Sequence, residues 1–319
     1  MAIPRFIISN PYRLLGIPAN CPERDIVAAA SKLRAFARVG KTQTQPLDFD
    51  SILGKPLRTV AVIDTCEKIR FTTPSRLSNA LVWFSVSAQA DAEAVNYLRQ
   101  GDIRTAYARF ALSEGYSSLI NRAVLDFING NLKEAIEKIC HLIGSQNLRE
   151  RFVADVLGEN MAVGPEDLMN NFFTLISGSY SFETLSLAVS GSDAPQNALN
   201  LHFRRKWRTE TENCLNLIKY ASVNDPDALS RIIDRIKALL ERLEEISPLN
   251  DISLNLLADQ SANAILNLVI RDYISDPSSD MARKSISLLK TAIGMARSNQ
   301  LRQRCKDNYS TLLSNLNTP

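Results

Sequence analysis

The chain has 319 residues, of which 45% are hydrophobic and 22% charged, and its formal net charge is +3. This length allows two or three domains, and this composition argues against a disordered chain. So small a positive charge argues against a general polyanion-binding protein. The low counts of Gly (12) and Pro (13), with long runs of three- and four-residue apolar spacing, predict an all-α protein.

The first predicted elements are two helices. Asn10 is a good N-cap, Pro11 suits the first helical position, and Gly16 would end a short helix over 11–15. Pro22 opens a second helix, in which apolar residues recur at three- and four-residue spacing and predict a buried face. These apolar residues are Ile26, Ala29, Ala30, Leu33 and Ala37.

Another face of the second helix is basic, with Arg34, Arg38 and Lys41 at spacings of four and three. We hypothesise that these three residues contact a protein partner. A solvated helix face is an equally good interpretation, because charge runs on exposed helices are common. The positive charge of the chain is concentrated here: residues 1–87 contain 12 Lys+Arg and 6 Asp+Glu (+6), whereas the remainder contains 25 and 28 (−3).

Two further helices are predicted before residue 87. The third covers 58–69, and the Thr-Pro-Ser-Arg segment at 73–76 would separate it from a short fourth helix. The predicted inward residues are Val62, Ile63, Cys66 and Ile69 of the third helix, and Leu77, Leu81, Trp83 and Phe84 of the fourth.

The segment 10–17, Asn-Pro-Tyr-Arg-Leu-Leu-Gly-Ile, and the order of these four helices resemble a J-domain. The resemblance implies a four-helix head over 1–87. In that family a His-Pro-Asp tripeptide after the second helix triggers ATP hydrolysis in a heat-shock ATPase. Here Arg38-Val39-Gly40 stands at that position, no His precedes His141, and the loop 41–56 is longer than usual. The resemblance therefore implies the fold and, at most, chaperone binding without stimulation; a diverged co-chaperone is an alternative.

Residues 88–192 contain an internal repeat at an offset of 29, in which Gly-Asp-Ile at 101–103 matches Gly-Asn-Leu at 130–132. Each unit is predicted to be a helix, a Gly turn and a second helix, with Asp102 or Asn131 as N-cap. The units resemble tetratricopeptide repeats, although their period is shorter than about 34 residues. The resemblance implies a solenoid with a concave surface for a protein or peptide. Two pairs within an ordinary helical domain are the alternative.

Residues 193–319 are predicted to form a bundle of long helices or a continued solenoid. One helix begins at Asp225-Pro226 and carries an apolar stripe over 229–246. Three more are predicted over 252–274, 281–296 and 301–316. The stripe is short for an autonomous coiled coil, which favours packing within the chain over a dimer.

The sharpest charge cluster is Arg204, Arg205, Lys206 and Arg208, with two aromatic residues, Phe203 and Trp207, among them. Such a cluster could bind phosphates while an aromatic ring stacks on a base, which makes nucleic-acid binding the alternative function. Phe203 and Trp207 are four residues apart and share a helix face, so inward packing is the favoured interpretation.

Little in the sequence indicates catalysis. The five cysteines have no C-x-x-C spacing, and two histidines cannot build a multi-His metal site. We therefore expect no catalytic residue, metal or cofactor. We expect a cytoplasmic interaction or scaffold protein with a protein partner, such as a heat-shock-type chaperone or a peptide, and no membrane association. No apolar run approaches the ~20 residues that cross a bilayer.

Overall fold

A computed structural model describes residues 2–159 and 161–317, and over these ranges it contains helices and no strand. The predicted all-α class is confirmed. The chain divides into two compact units, Met1–Leu199 and Asn200–Pro319. The predicted boundary at 192/193 lies close to this division, and the predicted boundary at residue 87 lies inside the first unit.

The helices of the first unit are short. They are α1 (Arg5–Ile8), α2 (Pro11–Leu15), α3 (Glu23–Arg38), α4 (Asp50–Leu53), α5 (Val60–Glu67), α6 (Thr73–Ala80), α7 (Gln89–Arg99), α8 (Ile103–Phe110), α9 (Tyr116–Asn129), α10 (Leu132–Gly144), α11 (Gln146–Leu157), α12 (Pro165–Ile176) and α13 (Phe182–Val189). The next helix, α14 (Asp193–Ile218), begins in the first unit and continues into the second. The second unit then has α15 (Pro226–Ile246), α16 (Ile252–Ser275), α17 (Ser279–Met295) and α18 (Asn299–Asn317).

The predicted ends of α2 are confirmed. The Asn10 side chain accepts a hydrogen bond from the Tyr12 amide, and Pro11 occupies the first helical position. Gly16 ends the helix in the left-handed conformation, with φ +71°. A methyl group at residue 16 would overlap the Gln45 side chain, so this glycine also permits a close approach of the following loop.

Three predicted boundaries of the N-terminal segment are wrong. The third helix, α5, begins at Val60 rather than residue 58 and ends in a 3₁₀ turn (Lys68–Phe71). The fourth, α6, begins at Thr73, because Pro74 fits a first turn and starts the helix rather than preceding it. Trp83 and Phe84 follow that helix, and both are fully buried.

The core of the first unit is continuous across residue 87. The Phe6 ring meets Phe127 of α9 edge-on, with centroids 5.1 Å apart. Phe84 stacks on Phe110 of α8 at 5.9 Å. The Asn121 side chain exchanges hydrogen bonds with the backbone of Ser85, at 2.8 Å in each direction. The N-terminal helices therefore share their apolar core and a buried polar contact with α8 and α9.

The offset-29 pattern corresponds to two hairpins, α7–α8 and α9–α10, with matching corners. Gly101 and Gly130 both have φ +82°, and the amide after each glycine donates to the carbonyl five residues earlier. The Asp102 carboxylate caps α8 by accepting from the Thr105 amide at 2.9 Å. The predicted cap by the Asn131 side chain is wrong, because that side chain makes no capping bond.

The four predicted C-terminal helices are present as α15 to α18. Helix α15 begins at Asp225-Pro226 as predicted, with the Asp225 side chain as its N-cap, and its apolar stripe is mostly buried within the chain. Helices α16, α17 and α18 pack as successive neighbours. In the described ranges, no helix combines the length and the apolar character that a bilayer crossing requires.

Candidate functional site

Helices α14 and α16 of the second unit run in the same direction, and α15 connects them in the sequence. Leu201 and Arg204 lie opposite Leu254 and Leu257, and further along Lys219 lies opposite Arg271. The two helices therefore lie side by side without being consecutive. This arrangement places residues from separate parts of the sequence along one groove.

The carboxyl end of α14 is tied to α16 by Arg271 and Asp272. The Arg271 guanidinium donates to the Lys219 carbonyl at 2.8 Å and to the Ala221 carbonyl. The Asp272 carboxylate accepts from the Val223 amide at 2.7 Å and from the Ser222 hydroxyl at 3.0 Å. Burial raises the pKa of Asp272, but the hydrogen bonds from Arg271, Val223 and Ser222 outweigh it, so the pKa is lower than usual. The pair fixes one end of the groove.

The groove between the two helices has a volume of about 520 Å³. Its floor is apolar, its rim is polar, and Glu212, Lys219 and Arg271 add charges of both signs. The lining residues are Glu212, Leu215, Asn216, Ile218 and Lys219 of the α14 side, with Gln260, Asn263, Ala264, Asn267, Leu268 and Arg271 of α16.

Three carboxamides of α16 line the groove at spacings of three and four: Gln260, Asn263 and Asn267. Within the described part of the chain, none of these three side chains has a hydrogen-bond partner, and all three are at least partly exposed. A carboxamide offers both a donor and an acceptor, the same pair that a peptide bond offers. The groove can therefore hydrogen-bond an extended backbone while its apolar floor accepts a side chain.

The residues of the basic cluster lie near the other end of the same helices. Phe203 and Trp207 are buried, with ring centroids 5.3 Å apart, which confirms their predicted inward packing. Neither ring is exposed for stacking on a base. Arg204, Arg205 and Arg208 line a cavity, whereas Lys206 lies 5.4 Å from the centroid of the Phe203 ring.

The three basic residues of the α3 region are in different environments. The Arg34 guanidinium is paired with Asp64 at 2.8 Å and with Glu67 at 2.5 Å, so it joins α3 to α5. These two hydrogen bonds raise the pKa of the Arg34 guanidinium above its usual value, and the one to Asp64 is the larger cause. Arg38 and Lys41 are exposed and unpaired within 2–159 and 161–317, as is Lys32 on the same helix. Arg38 is the last residue of α3 and Lys41 lies beyond the helix, so the exposed cations of the predicted basic face are Arg38 at the helix end and Lys41 in the following loop.

Two of the thiols, those of Cys66 and Cys140, have pKa values above the usual range. Burial raises the pKa of Cys66 to about 11 and that of Cys140 to about 12, with Glu137 adding to the shift at Cys140. The Cys140 thiol contacts the Met169 sulfur at 3.7 Å. Among the residues that the structure describes, no three His, Cys, Asp or Glu side chains form a potential metal site.

Sequence reasoning missed both the groove and the cavity. The three-four spacing of Gln260, Asn263 and Asn267 was a signal for a polar stripe on α16. No pattern in the sequence indicated that α14 would lie beside α16. When compared with known proteins, the chain matches no family model, no curated protein and no solved structure.

Proposed function

We propose that the chain is a non-catalytic interaction protein whose second unit binds an extended segment of a protein partner between α14 and α16. The observation that carries the proposal is the groove itself, with its three unpaired carboxamides on one helix. An extended peptide needs partners for its backbone N–H and C=O groups, and carboxamides supply both. A groove of this volume is large enough for several residues of such a segment.

The matched hairpins of the first unit support the same function. Helical hairpins that repeat a corner geometry occur in proteins that present extended binding surfaces. The resemblance of 1–87 to a J-domain supports a partner of the heat-shock type. With Arg38-Val39-Gly40 in place of the tripeptide, the head would bind such a chaperone without stimulating its ATPase.

The test is affinity capture with quantitative mass spectrometry, with and without nuclease. The groove variant combines Asn263→Ala with Asn267→Ala, and the matched control is Asn255→Ala, an exposed residue of α16 outside the groove. We expect a nuclease-resistant protein partner that the wild type and the control retain and the groove variant loses. Equal recovery by all three proteins would remove the groove from the proposal.

A second variant, Arg38→Ala with Lys41→Ala, examines the α3 face separately. Arg34 is left intact because its ion pairs join α3 to α5. Loss of a partner from this variant alone would move the contact surface to the head.

Recovery of nuclease-sensitive material alone would favour the alternative function, nucleic-acid binding through Arg204, Arg205, Lys206 and Arg208. The diverged co-chaperone alternative requires stimulated turnover by a heat-shock ATPase, which we do not expect.

A further inference from the structure

The basic cluster of the second unit surrounds a small cavity rather than a continuous basic track. The cavity has a volume of about 200 Å³. This volume is below the roughly 300–1,000 Å³ of pockets for drug-sized ligands, so it fits a small group. The cavity is lined by Arg204, Arg205 and Arg208 of α14, by the end of α15, and by Asp251 and Ser253 at the start of α16.

Arg204 is a partly buried cation of this cavity. Its Nε atom is buried without a hydrogen-bond partner, and within the described chain the side chain makes no ion pair. Removing part of a cation from water without pairing it costs free energy. Arg205 also lines the cavity without an ion pair in that part of the chain, and Arg208 pairs with the exposed Glu212 at 3.1 Å.

The carboxylate of Asp251, which also lines the cavity, forms no ion pair with these arginines in the parts of the chain that the structure describes. Its Oδ1 atom caps α16, accepting from the Ser253 amide at 2.9 Å and from the Ser253 hydroxyl at 2.8 Å. Those hydrogen bonds, with a smaller contribution from the charge of Arg204, hold the pKa of Asp251 below its usual value. With Arg208 paired to Glu212, the unpaired guanidinium groups of Arg204 and Arg205 against this one carboxylate still leave positive charge in the cavity. The amino end of α16, with the positive end of its dipole, lies on the same cavity.

We propose that this cavity binds a phosphate group, either as inorganic phosphate or as the phosphate of a monoester. Guanidinium groups offer paired N–H donors that match two oxygens of an oxyanion. Three such groups supply more donors than the two oxygens of a carboxylate can accept, whereas a tetrahedral dianion has enough oxygens. Binding would pair Arg204 and Arg205. The cavity shares no lining residue with the proposed peptide groove, and the proposal does not depend on a peptide bound there.

The experiment is isothermal titration calorimetry on the full chain at low ionic strength in a phosphate-free buffer. The probes are inorganic phosphate, glycerol phosphate and a short single-stranded oligonucleotide. The test variants are Arg204→Gln and Arg205→Gln; the matched control is Lys206→Gln, which removes the same charge from the same turn outside the cavity. Thermal unfolding checks that each variant folds, and Arg205, being exposed, provides a test even if Arg204→Gln does not fold.

We expect saturable 1:1 binding of at least one phosphate probe, and the preferred probe identifies the source of the group. Each test variant should weaken binding about tenfold or more, the loss expected for a charge-assisted hydrogen bond, and the control less than about threefold. The same probe should raise the unfolding temperature of the wild type, since it binds only the folded state. The proposal fails if neither phosphate probe binds, if all three variants weaken binding equally, or if only the oligonucleotide binds.

Discussion

At the scale of single residues, the first unit is distinguished by buried arginines. Arg13 is 1% exposed, and its guanidinium donates to the carbonyls of Ile8, Leu53 and Gly54 at 2.7 to 3.1 Å. Burial is the main cause that lowers the pKa of Arg13, and the charge of Asp48 opposes it with a smaller effect. Arg76 is also buried and donates to the Cys21 carbonyl at 3.3 Å. These cations pair with carbonyls at helix ends and in loops: Arg13 holds the segment between α3 and α5, and Arg76 holds the loop before α3.

The buried pair of Arg58 and Asp48 gives a stability prediction. Their side chains are 7% and 2% exposed, and Arg58 also donates to the Leu14 carbonyl at 2.7 Å. Asp48→Ala would leave an unpaired buried cation, so we expect the free energy of unfolding to fall by about 3–5 kcal/mol. Urea unfolding in a Trp207→Phe background measures this change, because Trp83 then reports on the first unit.

The matched control is Asp64→Ala, which removes a carboxylate from the more exposed ion pair with Arg34. Asp64 is 48% exposed, and Arg34 keeps Glu67 as a partner. We expect a loss of no more than about 1 kcal/mol. If both variants lost the same free energy of unfolding, burial would not be the reason that the Arg58–Asp48 pair stabilises the fold.

His202 gives a pH-dependence prediction for the second unit. Burial, and then the charges of Lys206 and Arg205, lower its pKa from 6.5 to about 4. Below pH 6.5 the unfolded chain therefore binds a proton that the folded chain does not bind until about pH 4. The stability contributed by the neutral imidazole should be lost over this interval, by up to about 3 kcal/mol.

Chemical unfolding between pH 7 and pH 4 measures this loss. His202→Gln should show a shallower decline than the wild type, since it lacks the titrating group and retains the carboxylates that titrate in the same interval. Parallel profiles for the two proteins would show that the folded state tolerates a charged His202.

At the scale of elements, the hairpin corners decide the path of the chain from α7 to α10. Gly101 adopts φ +82°, a conformation that L side chains avoid, and the nearest atom to a new Cβ there would be Ser51 Oγ at 3.4 Å. Gly101→Ala should therefore lower the free energy of unfolding by about 1–2 kcal/mol through backbone strain.

Gly144→Ala is expected to have the opposite sign. Gly144 is the last residue of α10, without a positive φ, and a Cβ there would meet no atom within 4 Å. Alanine loses less backbone entropy in a helix than glycine, so a gain of up to about 1 kcal/mol is expected. Denaturant titration of the two variants compares them directly, and a shared sign would indicate that the corner conformation is not the controlling factor.

At the scale of the molecule, we expect residues 1–87 to depend on the rest of the first unit. Truncation at residue 87 would expose Phe6 and Phe84 by removing Phe127 and Phe110, and would remove Asn121 from the Ser85 backbone. A 1–87 fragment should therefore unfold without a cooperative transition, whereas a 1–199 fragment should retain one. Circular dichroism during thermal unfolding distinguishes them. A cooperative 1–87 fragment would establish the head as an autonomous domain.

Much of the local structure could be predicted from the sequence, because the relevant interactions are local. Asn10, Asp102 and Asp225 cap helices through hydrogen bonds that span two or three residues. The three-four spacing of α15 marks its buried face without any knowledge of what covers it. Reliance on local spacing also explains an error. Trp83 and Phe84 continue the apolar pattern of α6, and the pattern therefore predicts that they belong to it, although the helix ends at Ala80.

The sequence by itself determined the all-α class, several helix ends, the glycine corners and the inward packing of Phe203 and Trp207. Only the tertiary structure decided which basic groups are free. Arg34 and Arg38 belong to one basic pattern, yet only Arg34 meets carboxylates, and these lie on another helix. The cavity around Arg204 likewise combines residues of three helices and of the turn between α15 and α16. Helix periodicity acts over a few residues, whereas pairing and burial of a charge depend on groups 30 to 50 positions away, which no local pattern encodes.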